Sequence, residues 1–182
     1  KEKLISIDLE TCDTQLTTHG SGWATGNGYV TGIAVATADW EGYYPIAHNG
    51  GNLDKTKVIK WFKTVAELDC DKVFHNASYD LGWLRSLGIT VNGKIHDTMI
   101  SSALLDENRY SYTLNSLAKD KLGRTKNEDL LIAAAKEFGV DPKKEMYKLP
   151  SMHVGEYAEY DARLTYDLYL LNKEQIDKQE LQ

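Results

Sequence analysis

Apolar and polar residues alternate at the start of the chain. Every second residue from position 5 is a branched aliphatic residue: Ile5, Ile7 and Leu9. The alternate positions are polar, and two of them, Asp8 and Glu10, carry carboxylates. Because successive side chains of a strand point to opposite faces, residues 3–11 are predicted to form a β-strand with one polar face.

Two further runs rich in β-branched and aromatic residues cover positions 29–38 and 42–48. They are joined at residues 39–42 (DWEG), a sequence typical of a hairpin turn. The first three strands are therefore predicted to be consecutive and antiparallel. The glycine-rich segment at residues 14–28 is predicted to be a loop, and it matches no motif that indicates a function.

From residue 54 onward, the apolar spacing becomes that of helices. The predicted elements are a helix capped by Asp54, a short buried strand at residues 72–74, a helix over residues 78–87 that ends at Gly88, a helix capped by Asp97, a helix through residues 114–122 that ends at Gly123, a helix capped by Asn127 that extends to residue 138, and a long helix from about Met152. This order indicates an α/β fold, in which helices flank a mixed sheet of three antiparallel strands followed by parallel strands.

The composition fits one domain that spans residues 1–182. Of the 182 residues, 42% are hydrophobic and 26% are charged, which allows a full core but leaves little room for a second domain. No apolar run approaches the roughly 20 residues that cross a bilayer, so no membrane partner is expected. Two cysteines need no disulfide framework, and we therefore expect a reducing compartment, the cytoplasm. We also expect a monomer and, because the chain begins almost inside its first strand, a longer parent chain.

The net charge of −6 opposes a general nucleic-acid-binding surface, because phosphate contacts need lysine and arginine. Bound divalent cations, however, would add positive charge that the formal count omits. The charge therefore weakens the case for a pure binding module more than the case for a metal-dependent site.

Asp8 and Glu10 are two residues apart on the predicted strand, so both carboxylates can bind one cation. A second pair with the same spacing, Asp39 and Glu41, falls in the predicted turn, where acidic residues are common for backbone reasons. The spacing by itself therefore does not identify a site.

Two further acids, Asp80 and Asp161, become candidate site residues because of the residues that precede them. Asp80 follows Asn76 with the spacing N-x-x-x-D, directly after the short strand. A simpler interpretation is that Asn76 or Ser78 caps the next helix and that Asp80 complements the helix dipole. Asp161 follows Tyr157 by one helical turn on a largely apolar face, where an acid is rarely buried without a partner or a metal. A position at the edge of that face, bonded to solvent, explains Asp161 equally well.

In this order the motifs resemble the DEDD exonuclease superfamily, and most closely the proofreading 3′–5′ exonuclease domain of DNA polymerase I-type (family A) polymerases. The resembling segments are residues 8–11 (DLET), 75–84 (HNASYDLGWL), 96–105, 111–123 and 157–165 (YAEYDARLT). Tyr157 matches the tyrosine branch of the superfamily, since the histidine branch would place a histidine at the position of Glu156.

The resemblance implies a ribonuclease H-like fold and two-metal-ion hydrolysis at the 3′ end of single-stranded DNA, which releases 5′-mononucleotides and proofreads DNA replication. It implies four catalytic carboxylates as ligands of two Mg²⁺ (or Mn²⁺) ions: Asp8, Glu10, Asp80 and Asp161. Tyr157 completes the catalytic set by orienting the attacking water, and Thr11 and Asn76 match residues that contact the terminal nucleotide. The implied context is a covalently linked polymerase domain in the cytoplasm of a bacterium or of a phage-infected host.

Two alternatives remain open from the sequence. A stand-alone RNA 3′ exonuclease similar to ribonuclease D shares the same motifs. A catalytically silent nucleic-acid-binding module could keep the fold, but such a module loses acids, and here all four acids and the tyrosine are present.

Overall fold

The structure, a computed structural model, describes residues 3–125 and 128–179. Its strands are β1 (Leu4–Cys12), β2 (Tyr29–Ala36), β3 (Glu41–Pro45), β4 (Asp71–Phe74) and β5 (Ile95–Asp97). They form one sheet with the order β3-β2-β1-β4-β5. Strand β2 is antiparallel to both of its neighbours, β1 and β3, whereas β4 runs parallel to both β1 and β5. This confirms the predicted mixed sheet.

Helices cover both faces of the sheet. They are α1 (Leu16–His19), α2 (Gly22–Thr25), α3 (Lys55–Ala66), α4 (Ala77–Ser86), α5 (Thr98–Leu105), α6 (Leu114–Leu117), α7 (Asp129–Phe138) and α8 (Gly155–Lys178). A π-helical turn, Ala118–Leu122, continues α6 as far as Gly123, and two 3-10 turns, Met146–Lys148 and Ser151–His153, precede α8. In the described part of the chain, no helix combines the length and the apolarity needed to cross a bilayer.

The predicted helix caps are confirmed where they can be seen. The Asp54 carboxylate accepts a hydrogen bond from the Lys57 amide at 3.0 Å, and the Asp97 carboxylate accepts one from the Met99 amide at 2.8 Å. Each bond satisfies a backbone amide that has no partner within its own helix. The predicted cap at Asn127 lies outside the described residues.

Three local predictions were wrong. The glycine-rich segment contains α1 and α2, which are single turns too short to produce a helical apolar pattern. The strand β5 was not predicted, because it has three residues of which only Ile95 is aliphatic. Glu41 lies outside the hairpin turn, which closes between Thr37 and Trp40. Glu41 instead opens β3, opposite Ala36.

The two faces of the sheet differ in residue size. The face with Ile5, Ile7 and Leu9 packs large side chains against α3 and α4, including the fully buried Phe62 and Leu84. The opposite face packs against α8 through a cluster in which four of seven residues are alanine: Leu4, Ala34, Ala36, Val73, Ala158, Ala162 and Tyr166. Small side chains on both surfaces let the helix lie close to the sheet. The polar face of β1 therefore points toward α8.

One lysine lies entirely inside the fold, on β4. The exposed fraction of Lys72 is 0%, and its ammonium group donates to the carbonyl oxygens of Leu68, Cys70 (3.0 Å) and Asn92 (2.8 Å). A buried charge is tolerated only when such partners replace water. These bonds join the loop before β4 to the loop before β5, and so fix the start of the strand that leads to Asn76 and Asp80.

The substitution Lys72→Met should lower the free energy of unfolding by about 3 kcal/mol, because it leaves three backbone carbonyl groups at the buried ammonium site without their charged donor. Urea denaturation should show a lower midpoint with an unchanged m-value. The matched control, Lys60→Met, replaces an exposed lysine on α3 and should change stability by less than about 0.5 kcal/mol. Equal midpoints for the two variants would contradict this role.

Candidate active site

Carboxylates from two facing elements meet beside β1. Asp8 and Glu10 lie on the strand face that points toward α8, and Asp161 projects from α8 with 8% of its surface exposed. One carboxylate oxygen from each residue lies within 4.8 Å of the other two. The structure thus brings together three of the acids that the sequence indicated, from positions more than 150 residues apart.

The sheet leaves room for a fourth acid at this point. β4 pairs with β1 only over residues 4–6, so the second half of β1 has no neighbouring strand on that side. Asp80, near the start of α4, enters this gap, where its carboxylate accepts a hydrogen bond from the Leu9 amide at 3.2 Å. The side chain of Asp80 therefore takes the place that a strand carbonyl would occupy, between the two residues Asp8 and Glu10.

Asp80 is 4% exposed and lies outside the group of three. Burial raises the pKa of its carboxyl well above the ordinary value, and the negative charge of Asp8 raises this pKa further. The bond from the Leu9 amide acts in the opposite direction. A buried carboxyl in this position ionises readily only when a positive charge lies nearby.

The turn between β4 and α4, the helix that carries Asp80, is stabilised by Asp97 of β5. Asn76 occupies the first position before α4 in the left-handed conformation, with φ of 66°. Its side chain makes no capping bond, so the simpler interpretation of Asn76 as a helix cap was wrong. Asp97 accepts hydrogen bonds from the amides of Asn76 (3.2 Å) and Ala77 (2.7 Å). The sequence indicated Asp97 only as the cap of α5, so this second role was missed.

Tyr157 lies one turn before Asp161 and is half-buried. Burial raises the pKa of its phenol above the ordinary value, and the charges of Asp161, Glu10 and Asp8 raise it further. The hydroxyl group is therefore protonated at neutral pH and can donate a hydrogen bond. The same electrostatics place the phenol close to the three carboxylates.

A second tyrosine, Tyr43, borders the site and was not predicted. It lies across Gly32, the residue paired with Glu10, and a Cβ atom added at Gly32 would lie 2.0 Å from its hydroxyl oxygen. That hydroxyl is 2.5 Å from Nε2 of His48, and the Tyr43 amide donates to Glu159 of α8 at 3.1 Å. Tyr43 thus joins β3 to α8 beside the carboxylates. The sequence could have indicated this contact only through Gly32, which leaves space for a large side chain opposite Glu10, and that indication is weak.

Thr11 directly follows Glu10 on β1, and Asn76 directly precedes α4, the helix that carries Asp80. The Thr11 hydroxyl is 2.9 Å from the hydroxyl of Tyr79, which in turn donates to Asp13 at 2.9 Å. Asn76 and Tyr79 both line a cavity next to this network. His75, in contrast, is held by Thr98 and by the carbonyl of Tyr112, as expected for a structural histidine.

Comparison with known proteins identifies the family. The chain matches the 3′–5′ exonuclease family named for family A DNA polymerases over residues 1–175. It belongs to that family. A DNA-directed DNA polymerase of Pseudomonas phage M6 is 38% identical over 185 residues, which cover 98% of this chain and 28% of that polymerase. DNA polymerase I of Pseudomonas aeruginosa is 29% identical over 178 residues, which cover 92% of this chain and 18% of that protein. The exonuclease thus spans less than a third of the length of these curated relatives.

Among solved structures, Brucella melitensis NrnC with bound Mg²⁺ superposes with a TM-score of 0.67. The match covers 99% of this chain and 76% of that one, with 16% sequence identity. At this identity the similarity concerns the fold, and it confirms the expected ribonuclease H-like architecture of the exonuclease.

The chemistry of the acidic group fits a hard divalent cation. All of its donors are carboxylate oxygens, which Mg²⁺ and Mn²⁺ prefer, whereas zinc sites in proteins favour histidine and cysteine. In the absence of a cation the three negative charges repel one another. The exonuclease should therefore be more stable with such a cation than without it.

Mg²⁺ at about one hundred times its dissociation constant should raise the melting temperature of the exonuclease by about 7 °C. The substitution Asp8→Asn should raise the melting temperature in chelator, because it removes one of the repelling charges, and should abolish the Mg²⁺-induced increase. Asp39→Asn alters the other Asp-x-Glu pair and should behave like the unsubstituted chain. An equal Mg²⁺ response in both variants would exclude Asp8 as a ligand.

Proposed function

We propose that the chain removes nucleotides one at a time from the 3′ end of single-stranded DNA by two-metal-ion hydrolysis. The observation that carries this proposal is the group of three carboxylates, contributed by β1 and α8, with Asp80 buried beside Asp8. Membership of the 3′–5′ exonuclease family supports the polarity and the type of reaction.

The four acids divide naturally between two cations. Asp8, Glu10 and Asp161 are close enough to hold one, and Asp8 and Asp80 would together hold a second. The raised pKa of Asp80 supports this division, because a cation beside the buried carboxyl would stabilise its ionised form. Mg²⁺ or Mn²⁺ bound here supplies a reactive water and stabilises charge on the leaving oxygen.

The remaining roles belong to side chains of the exonuclease. Tyr157, whose phenol stays protonated, donates a hydrogen bond that orients the attacking water, the role expected of it if the chain belongs to the tyrosine branch of the superfamily. Thr11 and Asn76 contact the terminal nucleotide. The water oxygen bonds to phosphorus, the bond from phosphorus to the 3′-oxygen of the preceding nucleotide breaks, and that oxygen takes up a proton. The released nucleotide keeps its 5′-phosphate.

The relatives support a biological setting. Those compared above are named as DNA polymerases and are several times longer than this chain. We therefore infer that residues 1–182 form one monomeric exonuclease domain, linked covalently to a polymerase domain in a bacterial or phage-infected cytoplasm. In that setting the reaction removes misincorporated nucleotides and so proofreads DNA replication.

The substitution Asp8→Ala should abolish digestion of a 5′-labelled single-stranded DNA oligonucleotide in Mg²⁺, with a loss of at least about a thousandfold, because it removes the carboxylate shared by both cations. Chelator should have the same effect on the unsubstituted chain. Asp39→Ala is the matched control and should digest normally. An RNA oligonucleotide of the same sequence should be degraded more slowly; faster digestion of RNA would favour the alternative that resembles ribonuclease D. Unchanged digestion by Asp8→Ala would refute the proposed site.

The substitution Tyr157→Phe should lower kcat by about ten- to a hundredfold and leave KM nearly unchanged, because it removes a water-orienting hydroxyl but no metal ligand. The Mg²⁺-induced increase in melting temperature should persist in this variant. A loss of activity as complete as that of Asp8→Ala, or a lost Mg²⁺ response, would show that the phenol has a different role.

A further inference from the structure

The glycine-rich segment at residues 14–28 lies against the start of α4, next to the carboxylates. It carries α1 and α2, and it places two large apolar side chains at the surface. Trp23 is 39% exposed and Leu16 is 41% exposed. None of the roles proposed above involves this segment.

A chain of hydrogen bonds ties the segment to the active site. The Asp13 carboxylate accepts a bond from the amide of Gly22, at the start of α2, at 2.9 Å. The same carboxylate oxygen accepts the hydroxyl proton of Tyr79, whose hydroxyl oxygen lies 2.9 Å from that of Thr11. Since Thr11 directly follows Glu10, the position of α2 depends on the residues that border the carboxylates.

Trp23 packs closely against α4 because residue 82 of that helix is a glycine. A Cβ atom added at Gly82 would lie 2.2 Å from Cε2 of the Trp23 indole, so any larger residue there would displace the ring. On the other side of the segment, Gly22 and Gly28 allow close contact with the ring of Trp83. The indole is therefore held in place at its inner edge, while much of its surface remains open to solvent.

The open surface of Trp23 forms one wall of a shallow, open cavity of about 320 Å³, which is at the lower end of the sizes of small-molecule sites. The cavity is lined by Leu16, Ser21, Trp23, Asn76, Ser78 and Tyr79. Two of these residues connect it with the proposed site: Asn76, and Tyr79 through its bond to Thr11. The lining offers an aromatic ring and uncharged polar groups, but no charged side chain.

This chemistry fits a nucleobase and not a phosphate. A base is flat and uncharged, it stacks on aromatic rings, and its edge forms hydrogen bonds with amide and hydroxyl groups. A phosphate would require cationic partners, which the cavity lacks. We propose that Trp23 is a base-stacking residue that holds one unpaired base near the 3′ end of the substrate strand, an inference that rests on the proposed exonuclease function.

The test is a double-mutant cycle between Trp23 and the substrate. Four single-stranded DNA oligonucleotides each carry one abasic nucleotide, at the first, second, third or fourth position from the 3′ end. The 182-residue chain and its Trp23→Ala variant are compared on these oligonucleotides and on the unmodified one, and kcat and KM are measured for release of the first nucleotide. A direct contact makes the two changes non-additive.

Trp23→Ala should raise KM for the unmodified oligonucleotide roughly tenfold, with kcat changed less than about twofold. At one position, the abasic nucleotide should raise KM for the unsubstituted chain but not for Trp23→Ala. Trp23→Phe should keep most of the affinity. The matched control, Trp40→Ala, removes a tryptophan of similar exposure (44%) from the β2–β3 hairpin and should leave KM unchanged.

Because Trp23 packs on Gly82, its removal could disturb the segment itself. Trp23→Leu fills the contact with an apolar side chain that has no aromatic face, so it should preserve the melting temperature and still lose the dependence on the base. Unchanged KM in Trp23→Ala and Trp23→Leu, or an equal abasic effect in all variants, would overturn the proposal.

Equilibrium binding of the same oligonucleotides in chelator separates this inference from the function on which it rests. If the chain binds with the expected dependence on one base but digests nothing in Mg²⁺ or Mn²⁺, the proposed function fails and the stacking contact stands. If the chain digests DNA but no abasic position distinguishes the variants, the stacking contact fails and the function stands.

Discussion

Mutual repulsion among three carboxylates is the constraint on which the structure of the site depends. One carboxylate oxygen from each of Asp8, Glu10 and Asp161 lies within 4.8 Å of the other two. The site is partly buried, so water screens the repulsion between these charges less than it does in bulk solvent. No local preference of the backbone favours such a group. The surrounding packing must therefore offset the repulsion in the absence of a cation, and a bound cation would remove it.

Two features of the fold produce the arrangement. Small residues on the sheet and on α8 allow the helix to cross β1 closely, and polar contacts fix its register: Glu159 accepts the amide of Tyr43, and Arg163 donates to Glu41 at 2.7 Å. On the other side β4 ends early, and the carboxylate of Asp80 replaces the missing strand as the acceptor of the Leu9 amide. Asp80, whose pKa is raised by the charge of Asp8, is thus also part of the hydrogen bonding of the sheet.

The sequence predicted what is encoded locally. The alternation in β1, the cap at Asp54 and the helical spacing of Tyr157 and Asp161 each depend on residues a few positions apart, and each is found in the structure. The missed features depend on distant partners. Tyr43 reaches Glu159 across 116 positions, and Asp97 caps a turn 20 positions earlier through contacts that its own helix does not require. Short elements such as α2 were missed because four residues carry no periodicity.

The net charge of −6 and the uncharged cavity at Trp23 have a common physical consequence. An acidic protein gains little from a long phosphate backbone, so under the proposed function its affinity must come from cations at the scissile phosphate and from stacking of bases. A base can enter the cavity only when it has left its own stack and its own pair. That cost is lowest for a mismatched or already single-stranded end. Such a site would therefore distinguish a frayed 3′ terminus from a paired one without reading its sequence, which is the discrimination that removal of misincorporated nucleotides requires.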